Sequence, residues 1–347
     1  MSLAGLPDAA GTCQALTGRR ALAAEPIGQG RNSRVFRVDL APAAGADAES
    51  VVLKFYRRDP GDGRDRLGVE FGALGFLWQN DVRVVPRPIA MDRARNCAVF
   101  EFIDGRSAAG TDVGVADIQA SIDFLANLRR LSGAEGSRGL PAASEACFSI
   151  ADVVESVGTR LTRLEAALAA DDQDRRLRAW IDRRFRPLVA DVERWVAVSA
   201  GRWGVAPAAA LPQESRTLSP SDFGFHNAVR RPDGRLAFVD FEYFGWDDPA
   251  KTVSDYLLHP GMALAEDLKH RFARGCLEAY ADVSRLRERT RLVYPLFGLK
   301  WCLIILNDFL SERRASSSRE VRAAQAAKAE ALADRIAAQY ADNPYLV

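Results

Sequence analysis

Paired cysteines are missing from this sequence. Its five cysteines, Cys13, Cys97, Cys147, Cys276 and Cys302, are scattered and odd in number, with no Cys-x-x-Cys spacing. That excludes a disulfide framework and fits reduced thiols in a cytoplasm. The three histidines, His226, His259 and His270, stand at no zinc-ligand spacing from a cysteine or from each other, so no zinc site is expected. Net charge is nearly absent: 47 Lys and Arg against 46 Asp and Glu leave +1. No global field draws the chain to nucleic acid or to an acidic membrane surface, and neither partner is expected. The longest apolar run, around Trp301 to Leu306, is far too short to span a bilayer. The first twenty residues have no basic segment followed by an apolar core, so no secretory signal is expected. No internal repeat or long low-complexity tract occurs.

What is present is an ordinary globular composition, 48% hydrophobic and 27% charged over 347 residues. That length accommodates two domains or one large one. Residues 25–103 read as mostly strands, with the alternating "RVFRV" and the β-rich "VVLKFY". A small-residue loop, "APAAGADAES", separates them. One helix interrupts, with Leu67, Phe71, Leu74 and Trp78 at helical spacing. From residue 104 the pattern turns helical. Ile118, Ile122, Leu125 and Leu128 form one stripe, and Val154, Val157, Leu161, Leu164 and Leu168 a second. A third runs from Leu177 to Trp195, with Pro187 expected to kink or break it. The expected division is an N-terminal extension at 1–24, a β-rich lobe at 25–103 and a helical lobe at 104–347.

Within the helical half, "LSPSDFGFHNAVRRPDGRLAFVDFE" (residues 218–242) is an island of β pattern. Two short apolar runs flank Arg231-Pro232-Asp233-Gly234, in which proline presets φ and glycine tolerates positive φ. A hairpin brings Asn227, before its first strand, beside Asp240, after its second. Asp222 lies a few residues upstream at the same end. Such oxygen ligands suit a hard cation like magnesium, though Asp and Asn are also common loop residues. Gly28 and Gly30 form a G-x-G, with Ser33 in the place of a third glycine. Glycines let a backbone approach phosphate; a turn alone is the plainer reading. The strand after them, rather than a helix, argues against a doubly wound dinucleotide fold. Lys54 lies inside an apolar strand and Glu70 on the following helix. An ion pair between them would hold an ammonium at a phosphate, or serve structure alone.

The order of these features resembles the aminoglycoside phosphotransferase (APH) family of small-molecule kinases: Gly-rich turn, strand Lys, helix Glu, "VFEFIDG", a helical region, Asp222-x4-Asn227, hairpin, Asp240-Phe241-Glu242. The resemblance covers roughly residues 25–310. It implies an α+β, bilobal protein-kinase-like fold, with a β-rich N-terminal lobe and a mainly helical C-terminal lobe carrying a hairpin. It also implies ATP and magnesium as cofactors, and phosphoryl transfer to a hydroxyl of a small molecule. By resemblance, Asp222 orients the acceptor hydroxyl and takes its proton, and Asn227 and Asp240 hold magnesium. Lys54, steadied by Glu70, contacts the α- and β-phosphates. Gly28, Gly30 and Ser33 cover the phosphates, the backbone of Glu101 to Ile103 holds the adenine edge, and Asp255 braces the catalytic loop.

One departure stands out: the family's His-Gly before the catalytic acid is Ser219-Pro220-Ser221 here. That histidine is a support residue, so an active enzyme is expected, with a catalytically impaired nucleotide-binding or regulatory protein as the alternative. A protein kinase is disfavoured, because no Ala-Pro-Glu follows Asp240. Choline, homoserine and sugars are all acceptors within reach of such a fold. Tyr243, Trp246, Trp301, Asn307 and Asp308 are the polar or aromatic candidates for lining an acceptor pocket. A sugar or other polyol is the leading expectation.

Overall fold

The computed structural model describes residues 8–29, 32–42, 49–58, 62–110, 113–168 and 171–346. It is a mixed α+β chain with an antiparallel N-terminal sheet and a helical remainder, as the resemblance implies. Two compact units emerge. One comprises Met1–Thr111, Gly133–Ser144 and Pro220–Gly245; the other comprises Asp112–Ser132, Glu145–Ser219 and Trp246–Val347.

The first unit is built on strands β1 (Ala21–Gln29), β2 (Ser33–Leu40), β3 (Glu49–Tyr56), β4 (Pro88–Asp92) and β5 (Cys97–Glu101), in the order β1-β2-β3-β5-β4. All pairings are antiparallel. Most of the loop expected between β2 and β3, residues 43–48, lies outside the described residues. Alternation in β2 buries Phe36, Val38 and Leu40 against Val51 and Leu53 of β3. A helix not expected from the sequence, α1 (Ala9–Thr17), closes this core with Ala9 and Cys13. Asp8 caps its start by accepting from Gly11 N at 2.8 Å, and Gly18 ends it at φ 68. Helix α2 (Arg66–Gln79) starts at the Asp65 cap and buries Leu67, Leu74 and Leu77. Each such leucine contributes roughly 1.5–3 kcal/mol. Glu70 lies on that same buried face.

The hairpin belongs to this unit. Ala228–Arg230 pairs with Leu236–Phe238 across a turn whose Gly234 has φ 84. A two-residue strand not expected from the sequence, Arg106–Ser107, adds to it. Phe238 N donates to Val84 O at 2.8 Å and Ala108 N to Ala228 O at 2.9 Å. Gly105 makes this approach possible: at φ 151, a Cβ there would stand 2.3 Å from Arg230 O.

In the second unit the helix Leu286–Ile305 is the hub, packed by Pro249–Leu258, Arg319–Gln339 and Ile150–Ala167. The segment Leu286–Phe309 has the length and hydropathy (1.4) of a membrane span, but 83% of its apolar window is buried within the protein. Two sequence expectations shift. The second stripe buries Val153, not Val154. Pro187 does not break the third; a π-turn at Ile181–Phe185, closed by Arg186 N donating to Ile181 O, precedes it. The wider turn takes up a residue that lacks an N–H.

Glu145 pairs with Lys300 at 3.1 Å and with Arg160. Burial pushes its carboxyl up, but the two cations outweigh burial and hold it down at about 2, against an ordinary 4.5. A depressed folded-state pKa means this contribution is full above about 4.5 and fades as pH falls toward 2. Glu145→Gln is therefore expected to lower stability at neutral pH and to flatten its decline across that acid window. Urea melts at stepped pH check this; equal slopes for variant and wild type would refute it.

Candidate active site

Lys54 is the centre of the first unit's polar cluster. It comes from β3, paired with Val35 on one side and Ala98 on the other, and is only 6% exposed. Its Nζ donates to Glu70 Oε2 at 2.7 Å and to Asp240 Oδ1 at 2.6 Å, and lies 3.4 Å from Glu242 Oε2. Burial pulls the ammonium's pKa down, but Glu70, Asp240 and Glu242 outweigh that and raise it, so Lys54 is charged. Glu70 also accepts from the Tyr56 hydroxyl at 2.7 Å and from Phe241 N at 3.2 Å. Burial, with Glu70 beside it, raises Tyr56 far above its usual range, so the phenol stays a donor. Its ring lies 5.0 Å under the ammonium. Asp240 has φ 68, a left-handed conformation that costs a non-glycine residue about 1 kcal/mol or more and recurs at functional sites.

The stretch before the hairpin is fixed as firmly. Ser221, at φ 67, donates its hydroxyl to Ser144 O at 3.0 Å, and Asp222 N donates to Pro220 O at 2.9 Å. A single 3₁₀ turn, Phe225–Asn227, follows. Asn227 Nδ2 donates to Asp222 O at 2.9 Å, and Val239 N donates to Asn227 O at 2.9 Å. Asn227 is thus beside the strand that leads into Asp240. With its amide nitrogen committed, its side-chain oxygen is the atom left to offer a ligand.

The remaining sequence candidates are spread along the sheet. Gly28 lies in β1 opposite Val35, and a Cβ there would make only ordinary contact at 3.8 Å. Gly30 lies outside the described residues. Ser33 opens β2 and is buried opposite Tyr56. Glu101 ends β5, with its N donating to Arg87 O, and Ile103 follows, buried. Asp255 is in the second unit. It lies toward the end of the helix Pro249–Leu258, accepting from Trp301 Nε1 at 2.8 Å and pairing with Lys251 at 3.1 Å. In the same unit Thr252, three residues earlier, donates to Ser219 Oγ at 3.2 Å.

Several residues of the cluster escaped the sequence reading. Asn32 Nδ2 donates to Glu242 Oε1 at 2.7 Å and to the Tyr243 hydroxyl. Arg66 donates to Asp62, and its Nε lies 3.6 Å from Glu242 Oε1. The one available signal was position: Asn32 stands in the Gly-rich turn, and Arg66 one helical turn before Glu70.

The donor set fits a hard cation. Asp240 is 41% exposed, whereas Glu70 and Glu242 are 4% exposed. Oxygens of these three acids lie within 4.8 Å of one another. Carboxylate oxygens with an amide oxygen are magnesium ligands.

Buried strand lysine, helix carboxylate, hairpin acid and loop acid are the positions at which the sequence resembles small-molecule kinases. The model of the phosphotransferase enzyme family (APH) matches residues 23–293, and the chain belongs to that family. No curated protein matches it. Among solved structures, it is similar to the spectinomycin phosphotransferase APH(9)-Ia bound to ADP and spectinomycin. The two share 12% identity at TM-score 0.65, covering 94% of this chain and 97% of that one. It is also similar to a choline kinase from Cryptosporidium parvum, at 12% identity and TM-score 0.59 over 93% of each chain. A thermostable mutant of the aminoglycoside phosphotransferase APH(4)-Ia matches at 14% identity and TM-score 0.56, over 96% of this chain and 100% of that one. At such identities the likeness is one of fold.

Lys54→Ala leaves buried carboxylates without their cation. It is expected to cost roughly 3 kcal/mol, the low end for a broken buried pair because Asp240 is partly screened. Magnesium alone should then raise the melting temperature of the variant more than that of the wild type. Thermal melts with and without magnesium measure both effects. An unchanged melting temperature would show that the cluster does not depend on Lys54.

Proposed function

We propose that this chain transfers the γ-phosphoryl group of ATP, bound with magnesium, to a hydroxyl of a small molecule of the sugar, polyol or amino-alcohol type. The carrying observation is the convergence on one unit of Lys54, Glu70 and Asp240 with the Asp222–Asn227 loop. Residues 25–103 form the nucleotide-binding part, working with the hairpin that folds with them. The helical part within 104–347 supplies the acceptor pocket. The reaction belongs in the cytoplasm, where five free, buried thiols stay reduced.

In this reading Lys54 contacts the α- and β-phosphates. Its three donors already face three carboxylates, so one must let go. Asp240, the exposed one, would release Lys54 and, with Asn227, would hold magnesium, whose charge would offset that of the phosphates. Gly28, Gly30 and Ser33 cover the phosphates, and Glu101 to Ile103 hold the adenine edge. Asp222 orients the acceptor hydroxyl and receives its proton as the oxygen bonds to phosphorus and ADP leaves. The fold relatives named for spectinomycin and choline support a small acceptor rather than a protein.

The two acids are expected to fail differently. Asp240→Ala should abolish the magnesium dependence of ATP binding, together with turnover. Asp222→Asn should bind MgATP normally and lose roughly 10²–10⁴-fold in rate, the range for a missing general base. Calorimetry with and without magnesium, and ADP release against a panel of hydroxyl compounds, test the pair. Wild-type turnover in Asp222→Asn, or normal magnesium dependence in Asp240→Ala, would overturn the reading.

A further inference from the structure

The catalytic acid lacks the histidine that precedes it in the family, yet an imidazole still reaches it. His226 Nε2 lies 3.0 Å from Asp222 Oδ1. The 3₁₀ turn at Phe225–Asn227 folds the chain back so that residue 226 meets residue 222. The turn is pinned by Phe223 and Phe225, which are 6% and 2% exposed, with the Phe223 ring 5.0 Å from that of Phe238. His226 and Asn227 therefore hold opposite ends of one residue. The first engages the Asp222 carboxylate and the second its backbone carbonyl. Upstream, Ser221 is tied to Ser144. The backbone of Asp222 is fixed from both sides, and its carboxylate rotor, otherwise broad in χ2, is fixed by His226.

We propose that His226 is the positioning residue of Asp222. Its Nε2–H donates to Oδ1 and aims the carboxylate at the acceptor hydroxyl. Support that the family places before the acid comes in this chain from four residues after it. The inference rests on the reading of Asp222 above. In the step it serves, the acceptor oxygen bonds to the γ-phosphorus while the bond to the bridging oxygen breaks and its electron pair leaves with ADP. The acceptor proton passes to the Asp222 carboxylate, and His226 keeps its own proton throughout. A ring that merely filled the turn would need bulk but no N–H.

The test compares His226→Gln, which keeps an N–H within reach of the carboxylate, with His226→Leu, which keeps bulk without a donor. MgATP is the substrate and water the acceptor, read as ADP release, with MgATP affinity and melting temperature measured alongside. His226→Leu should lose roughly 10- to 100-fold in rate, the scale of a misplaced catalytic group, with MgATP affinity unchanged. His226→Gln should recover most of the rate. In an Asp222→Asn background, His226→Leu should have no further effect, because it acts only through the acid. Wild-type rate in His226→Leu, failure of Gln to exceed Leu, or full additivity with Asp222→Asn would overturn the proposal. If Asp222→Asn alone hydrolysed at the wild-type rate, the assignment of Asp222 itself would fall and this inference with it. That outcome is distinct from a silent His226 beside an impaired Asp222.

Discussion

A single buried ammonium organises the first unit. Lys54 carries three N–H donors and has three carboxylates around it. Lys54 comes from a strand, Glu70 from a helix, and Asp240 and Glu242 from one segment 186 residues or more further along the chain. An ammonium shared among acids holds them tightly, since losing Glu70 or Glu242 strands a charge in a place with little water. Glu70 repeats the pattern from the opposite side, with Lys54, Tyr56 and the Phe241 amide all donating to it. The second of those donors is an uncharged phenol held protonated by burial. The helix that carries Glu70 also buries Leu67, Ala73, Leu74, Phe76 and Leu77, so hydrophobic burial and the ion pair together hold α2 in place.

Acids outnumber cations in this cluster. Arg66 supplies a second positive charge near Glu242, but it also answers Asp62. The surplus is tolerated because Asp240 remains partly in water. Its strained backbone has the same logic. Val239 N is bonded to Asn227 O before it and Phe241 N to Glu70 after it. Asp240 must bridge two fixed points, and the left-handed conformation is what the two bonds leave it.

Much of this was legible in the sequence because it is written in local periods. Alternation marked β2 and β3, Pro-Asp-Gly marked the hairpin turn, and helical spacing placed Leu67 and Leu74 inside. Lys54 and Glu70 could be singled out because each interrupts an apolar pattern. What stayed hidden lacked a period. Arg106–Ser107 is too short to show alternation and becomes a strand only by meeting the hairpin. Helix α1 is nine residues with a weak stripe, stabilised by the sheet it covers. The second stripe was misread by one residue, Val154 for Val153, because adjacent valines satisfy the same spacing. Asn32, Arg66 and Thr252 each have a partner at least 33 residues away. Nothing in their neighbours announces such a contact.

The two acids are held by unlike means, and the difference suits the roles proposed for them. Asp240 is gripped by Lys54, and in the proposed reaction it would exchange that cation for the metal while the buried Glu70–Lys54 pair stands. Its exposure allows the exchange; at 4% exposure Glu70 and Glu242 have no such freedom. Asp222 is gripped instead by backbone bonds and an imidazole, and all three donors of Lys54 are directed to other acids. A carboxylate paired with the ammonium would be a weaker proton acceptor, because the adjacent positive charge favours its ionised form. With Asp222 on a hydrogen-bonded turn and Asp240 on the ion cluster, the proposed function would keep the handling of protons apart from the handling of metal within one short stretch of chain.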